Sequence, residues 1–277
     1  MKYNEPELFS QLTANGYFHL KNIIPKKACE EIIQEIIVQS RSRMRDTTSS
    51  TLLDSYLVLN PHTVSSRLWD VIFGDTLSKI ANLFLDDRYY RELPRDLPNF
   101  TLNFSIARSS GSDELKLHRD DRNPPYCGNS VTYLQFALAL DDVDAENGCT
   151  YVVPGSHVLN TYATDSVVKT VDLLMSAGDL VIYDGRLWHG ARSNTSGRRR
   201  MMCFFGFARW HVRPTYAFET MVPAQRLANL CLREKLLLGL HVLPKSFRDL
   251  EQDPHASQRG DLTYLERNYR RLVEGSQ

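Results

Sequence analysis

The central part of the chain alternates between apolar and polar positions with the period of two that is typical of half-buried β-strands. Turn-forming sequences such as PPY, ENG, PGS, AGD and NTSG separate these stretches. The segments that share the pattern are 99–109, 131–143, 149–157, 179–185 and 200–210. Several short strands at regular spacing predict a β-sandwich or a jelly roll.

The segments on either side of this region have helical periodicity instead. Leu8 and Leu12 lie at helical spacing before Gly16, which is expected to end the first helix, and a short strand follows at 17–20. Pro25 begins a second helical segment. Further helices are predicted at 68–85, 227–237 and 261–273, and the polar, Ser/Thr-rich residues 40–51 predict a loop. The pattern as a whole predicts a single domain that is mainly β with flanking helices.

The composition excludes several classes of protein. The 277 residues carry a net charge of +0, which argues against a nucleic-acid coat or an acidic tail. No apolar run approaches the roughly 18 residues of a membrane span, and the N-terminus lacks the apolar core of a signal peptide. The five cysteines are scattered without a CxxC pair, which fits reduced thiols. We therefore expect a cytoplasmic protein without nucleic-acid or membrane partners.

The stretch LKLHRDDRNPPY at 115–126 holds a candidate metal site. On an extended strand His118 and Asp120 point to the same face, so an imidazole nitrogen and a carboxylate oxygen can converge on one ion. A solvated surface turn is the alternative interpretation. A third candidate ligand, His189, follows a later predicted strand in GRLWHGARSN. Two histidines and one carboxylate with open positions opposite are typical of non-haem Fe(II) oxygenases.

The arginines after His189 are candidates for binding a co-substrate. An oxygenase of this kind needs two electrons beyond those taken from its substrate, and a keto acid bound to the iron can supply them. Its distal carboxylate needs a cation, and the planar fork of an arginine matches a carboxylate. Strand alternation places Arg198 and Arg200 on one face and Arg199 on the other, so either of the first two can serve.

Several motifs together resemble the phytanoyl-CoA dioxygenase family of Fe(II)/2-oxoglutarate-dependent oxygenases. The motifs are GYFHLKNIIPKKACEEI, LHRDD, ALALDDVDAENGCTYVVPGSH, AGDLVIYDGRLWHGARSN and RRRMM, and they extend over most of the chain. The resemblance implies a double-stranded β-helix (jelly-roll, cupin-like) core at about 99–212, within one domain spanning 1–277. A helical N-terminal part at about 1–98 and a helical C-terminal part at about 213–277 would flank this core.

The resemblance also assigns roles to individual residues. His118, Asp120 and His189 match the iron ligands of the family. Arg200 matches the arginine that binds the C5 carboxylate of 2-oxoglutarate, with Arg198 as the alternative. The family often has a serine two residues after the distal histidine, and this chain has Ala191 there. Ser193 or a strand hydroxyl such as Thr132 is the candidate replacement.

The implied activity is the hydroxylation of an aliphatic C–H bond of a small molecule, with Fe(II), 2-oxoglutarate and O2 as cofactor and co-substrates and with succinate and CO2 released. Related halogenases replace the ligating carboxylate with a small residue, so Asp120 favours hydroxylation. Arg119 and Arg122 near the ligands, with Arg41, Arg43 and Arg45 in the first loop, favour an anionic substrate, although solvated arginines would look the same. Two rival hypotheses are a catalytically silent jelly-roll binding protein and a nucleic-acid demethylase on the same fold.

Overall fold

The computed structural model describes residues 4–40, 57–86, 97–121, 123, 130–159, 161 and 168–240. The predicted helix at 261–273 lies outside these ranges, as does the predicted loop at 40–51 apart from Ser40. Arg122 and the three arginines of that loop are also outside the described residues.

Ten strands within the described ranges form two antiparallel sheets. In chain order they are β1 (Tyr17–Leu20), β2 (Leu57–Leu59), β3 (Phe100–Ser109), β4 (Leu115–His118), β5 (Tyr133–Ala139), β6 (Thr150–Val152), β7 (Val171–Leu173), β8 (Leu180–Asp184), β9 (His189–Ala191) and β10 (Met201–Arg209). The large sheet has the order β1-β8-β5-β10-β3-β2 and the small sheet the order β4-β9-β6-β7. This arrangement confirms the predicted mainly β, jelly-roll architecture.

Helices precede and follow the strand-rich region, as the periodicity predicts. They are α1 (Glu5–Asn15), α2 (Lys26–Ser40), α3 (Ser66–Phe73), α4 (Asp75–Leu85), α5 (Phe218–Met221), α6 (Ala224–Ala228) and α7 (Leu232–Leu237). Gly16 ends α1 with a φ of 82°, and its N–H donates to the Leu12 carbonyl. None of the helices in the described ranges is long and apolar enough to cross a membrane.

Two predicted helices are each interrupted. The segment 68–85 is divided between α3 and α4 at Gly74, which is extended and where a Cβ would lie 2.6 Å from the Asp70 carbonyl oxygen. The segment 227–237 is divided between α6 and α7. There the Glu234 carboxylate accepts a 2.8 Å bond from the Cys231 N–H and begins a new helix. Periodicity alone does not reveal either break.

The large sheet is covered on both faces. Leu134, Phe136 and Leu138 of β5 pack into the apolar cluster shared with the helices. The alternate residues Ala137 and Ala139 belong to a second cluster, which includes residues of the small sheet. Every residue of β5 and of β8 is buried, so these two strands form the centre of the core.

Candidate metal and keto-acid site

The two candidate histidine ligands lie side by side on neighbouring strands. β4 and β9 are antiparallel with His118 directly opposite His189, and the ring centroids are 4.2 Å apart. The Nδ1 atom of His118 is 2.9 Å from the Lys116 carbonyl oxygen, and that of His189 is 2.9 Å from the Leu187 carbonyl oxygen. When each Nδ1–H donates to its carbonyl, both Nε2 lone pairs remain available to an ion.

Asp120 lies in the turn after β4 rather than on the strand. The prediction that strand alternation aligns it with His118 is therefore wrong, because β4 ends at His118. The turn is held instead by the Gly185 carbonyl, which accepts the N–H groups of Asp120 at 2.9 Å and Asp121 at 2.8 Å. The Asp120 Oδ1 atom is 3.8 Å from His118 Nε2, and Oδ2 is 3.5 Å from His189 Nε2.

These three side chains form a group that could hold a metal ion, with donor atoms all within 4.8 Å of one another. Burial lowers the pKa of His189, which favours the neutral imidazole that a metal requires, although the nearby Asp120 carboxylate opposes the shift. Two neutral imidazoles and one hard carboxylate suit Fe(II). The donor set therefore fits the metal that the sequence predicts.

Tyr183 supports the carboxylate from the large sheet. Its hydroxyl lies 3.4 Å from Asp120 Oδ2, and its ring centroid is 4.8 Å from that of His189. Burial, with a further contribution from the Asp120 charge, raises the pKa of Tyr183 well above its usual value. The hydroxyl therefore stays protonated and can donate to the carboxylate.

Arg200 shares a cavity of about 130 Å³ with the three candidate ligands. It directly precedes β10, is only 4% exposed, and donates Nη2–H to the Gly148 carbonyl. Burial lowers the pKa of Arg200 to about 10, so the side chain is still cationic at neutral pH. Among the residues that the structure describes, no carboxylate forms an ion pair with Arg200, and a buried cation of this kind is suited to receive the carboxylate of a ligand.

Arg198 occupies a different environment. Its side chain is exposed, and Nη2 donates to Asp144 Oδ2 at 2.7 Å. It does not line the cavity of Arg200. β10 begins at Met201, so the predicted strand alternation does not reach the three arginines.

The other predicted site residues that the structure describes do not line this cavity. The Thr132 hydroxyl donates to Asp121 Oδ2 at 2.9 Å and lies in a second, larger cavity. Ser193 is likewise absent from the lining. Arg119 donates to the Thr161 carbonyl at 3.3 Å, and Arg122 is outside the described residues.

Thr150 and Gln135 are two of the polar cavity residues that the sequence does not single out. Thr150 of β6 is paired directly with Ala191 of β9, so its hydroxyl-bearing side chain lies in the cavity beside the position where the family often has serine. Gln135 of β5 also lines the cavity, and the Tyr133 hydroxyl donates to its Oε1. A lone glutamine in the apolar strand YLQFALA was a usable signal. The pairing of Thr150 with Ala191 depends on long-range strand register.

Comparison with protein-family models extends these observations. The model of phytanoyl-CoA dioxygenase matches residues 12–202. The chain belongs to the phytanoyl-CoA dioxygenase family. Among its curated relatives, dioxygenase af480 of Aspergillus fumigatus is 26% identical over 285 residues, covering 97% of this chain and 84% of the relative. Multifunctional dioxygenase prhA of Penicillium brasilianum is 29% identical over 157 residues, covering 51% and 52%.

Solved structures share the jelly-roll fold of this family member. The epimerase SnoN, crystallised with Fe3+, alpha ketoglutarate and nogalamycin RO, matches with a TM-score of 0.60 at 18% identity, covering 79% of this chain and 90% of SnoN. HygX of Streptomyces hygroscopicus, crystallised with nickel and 2-oxoglutarate, matches with a TM-score of 0.56 at 17% identity, covering 76% and 87%. At this identity the likeness shows the fold alone.

Proposed function

We propose that this member of the phytanoyl-CoA dioxygenase family is an Fe(II)- and 2-oxoglutarate-dependent oxygenase that hydroxylates an aliphatic C–H bond of a small molecule. The observation that carries the proposal is the single cavity of about 130 Å³ that His118, Asp120, His189 and Arg200 line together. A metal-binding group and a buried cation in one cavity match the two ends of a chelating keto acid. A structural metal site would not need the arginine.

In this proposal the three ligands hold Fe(II) through His118 Nε2, His189 Nε2 and the Asp120 carboxylate. Bound Fe(II) would supply the redox chemistry by which 2-oxoglutarate and O2 are converted to succinate and CO2 while one oxygen atom enters the substrate. The main-chain carbonyls of Lys116 and Leu187 fix the two imidazoles so that Nε2 is the ligating atom. The Tyr183 hydroxyl restrains the carboxylate by donating to Asp120 Oδ2.

Arg200 would bind the distal carboxylate of 2-oxoglutarate. Its rigid fork and low exposure give a strong charge-assisted bond away from competing water. The Thr150 hydroxyl, on the strand position opposite Ala191, would supply the hydrogen bond that a serine at 191 otherwise gives. Arg198 is the weaker candidate because its guanidinium is already paired with Asp144.

Anaerobic titration with Fe(II) and 2-oxoglutarate, followed by succinate measurement in air, tests the proposal. Wild type should give the weak visible charge-transfer band and should release succinate. His118→Ala should lose both, because one imidazole ligand is gone. His211→Ala is the matched control, since His211 is exposed after β10 and outside the cavity.

A wild-type protein that binds 2-oxoglutarate with Fe(II) but releases no succinate with any substrate would favour the silent binding protein. A protein that binds neither would refute the oxygenase outright. If His118→Ala and His211→Ala lose the charge-transfer band and succinate release to the same extent, the substitutions have disturbed the fold, and His118 is not shown to be a ligand. Mass spectrometry of the product, with a gain of one oxygen atom, tests hydroxylation itself.

A further inference from the structure

A second and larger cavity adjoins the candidate iron site. It has a volume of about 630 Å³, within the range of roughly 300–1,000 Å³ found for small-molecule sites. Four residues line both cavities, namely Phe104, Ile106, Arg108 and Asp120. A molecule in the larger cavity therefore reaches the same carboxylate that faces the two histidines.

Much of the wall of this cavity is apolar. Leu57 and Leu59 of β2 are 54% and 51% exposed, which is unusual for two leucines on one face of a strand. They are paired with Arg108 and Ile106 of β3, and Tyr216 and Pro214 line the same space. An apolar molecular body is the occupant that such a wall favours.

Two arginines, Arg108 and Arg213, line the same cavity. Within the described part of the chain, the guanidinium groups of Arg108 and Arg213 make no hydrogen bond or ion pair. Asp121 also lines the cavity, but its carboxylate already accepts bonds from the Asn123 N–H at 2.7 Å and the Thr132 hydroxyl at 2.9 Å. Asp120 faces the two histidines. The lining thus holds two arginines and two aspartates, and within the described residues the side-chain donors of the arginines are the charged groups left without a partner.

We propose that this cavity binds the substrate, that the substrate is a carboxylate with a large apolar body, and that Arg108 binds its carboxylate. The inference rests on the proposed oxygenase function and specifies its substrate class. It assigns anion binding to arginines that line the cavity rather than to Arg119, whose guanidinium donates to the Thr161 carbonyl. Arg108 stands at the junction of the two cavities, so it would fix which part of the apolar body lies near the metal-binding group.

Equilibrium binding of a matched pair of fluorescent probes tests this proposal. Pyrenebutanoate and pyrenebutanol share one apolar body and differ in the charged group. Fluorescence anisotropy with the full chain, without added iron, should show tighter binding of the carboxylate. Arg108→Gln should weaken carboxylate binding by about three- to fivefold, the upper part of the range for an exposed ion pair, and leave alcohol binding within about twofold.

Arg198→Gln is the control for loss of one positive charge elsewhere and should leave both affinities unchanged. Arg213→Gln should weaken carboxylate binding by a smaller factor. Failure of both probes to bind, equal binding of the two probes to wild type, or equal effects of Arg108→Gln and Arg198→Gln would overturn the proposal. A large increase in the KM for 2-oxoglutarate in Arg108→Gln would also overturn it, because Arg108 would then serve the co-substrate.

The two proposals fail in separate ways. Absence of succinate release in wild type would refute the oxygenase function, but the difference in affinity between the carboxylate and the alcohol probe could still be measured. Normal succinate release with no preference for the carboxylate probe would refute only the substrate class.

Discussion

The two sheets of the jelly roll differ in length, burial and chemistry. The large sheet contains strands of up to ten residues, and its neighbouring interior strands β5 and β8 are buried at every position. The small sheet is built from strands of three or four residues, and β4 at its edge is partly exposed along its whole length. Both candidate histidine ligands belong to the small sheet. The comparison indicates that the large sheet contributes most of the stability. The small sheet is less buried at β4, which leaves the candidate metal site accessible to small molecules.

Truncation of a core side chain should show this difference most strongly. Phe136→Ala removes a fully buried ring of β5 that packs against Phe205 and Phe207. We expect the free energy of unfolding to fall by about 3–5 kcal/mol. Denaturant unfolding of the apoprotein measures the change.

Leu115→Ala is the partner measurement on the small sheet, because Leu115 lies on β4 and is 37% exposed. We expect a loss of no more than about 1 kcal/mol there. Similar losses in the two variants would mean that the sheets share the stability evenly, contrary to the comparison.

Arg200 connects the two sheets, since it directly precedes β10 of the large sheet and donates to Gly148, which lies just before β6 of the small sheet. Arg200→Gln should raise the KM for 2-oxoglutarate by roughly 10- to 100-fold, the range given by a lost hydrogen bond to a charged group of about 1.5–3 kcal/mol. Steady-state succinate assays measure this change in KM.

Arg198→Gln should change the KM for 2-oxoglutarate by less than about twofold, because Arg198 is exposed and paired with Asp144. The reverse order of effects would assign the keto acid to Arg198.

The last prediction concerns His62, which is buried among the rings of Trp69, Phe73 and Phe218 on the helical side of the large sheet. Neither ring nitrogen has a hydrogen-bond partner in the described part of the chain, and burial lowers the pKa of His62 to about 3. Below pH 6.5 the His62 imidazole therefore binds a proton in the unfolded chain but remains neutral in the folded chain. As the pH is lowered from 6.5 to 3, the free energy of unfolding should therefore decrease by at most about 1.4 kcal/mol per pH unit.

His62→Leu should remove this contribution and leave the titration of His189 in place. Denaturant midpoints at pH 7, 6 and 5 for both proteins check the prediction, with wild type losing about 1 kcal/mol more than the variant between pH 6 and 5. If the denaturant midpoints of the two proteins change equally with pH, the pKa of His62 is not lowered in the folded state.

The fold was predictable from sequence where periodicity is strong. The period-two segments became β3, β5, β8 and β10, and Gly16 ended α1 as its conformational freedom suggests. The short strands β2, β7 and β9 were missed, because three residues do not establish a period. Their existence depends on pairing with distant strands, which local sequence does not encode.

The candidate site was predictable in residue type and only partly in geometry. His118, Asp120 and His189 converge, but Asp120 does so from a turn that the Gly185 carbonyl holds. Thr132 was chosen for its hydroxyl, whereas Thr150 lies in the cavity because β6 pairs with β9. The role of Arg108 is not predictable, because nothing in the sequence shows which of the many arginines lies beside a cavity without a partner among the described residues. Such facts depend on tertiary packing.

The acceptors behind the two histidines are main-chain atoms. The imidazoles are oriented by the carbonyl oxygens of Lys116 and Leu187, and the Asp120 turn by that of Gly185. Every amino acid carries a carbonyl, so mutation of these positions preserves the acceptor wherever the backbone keeps its path. The orientation of the two candidate ligands therefore depends on the path of the backbone at these positions and not on which side chains the positions carry.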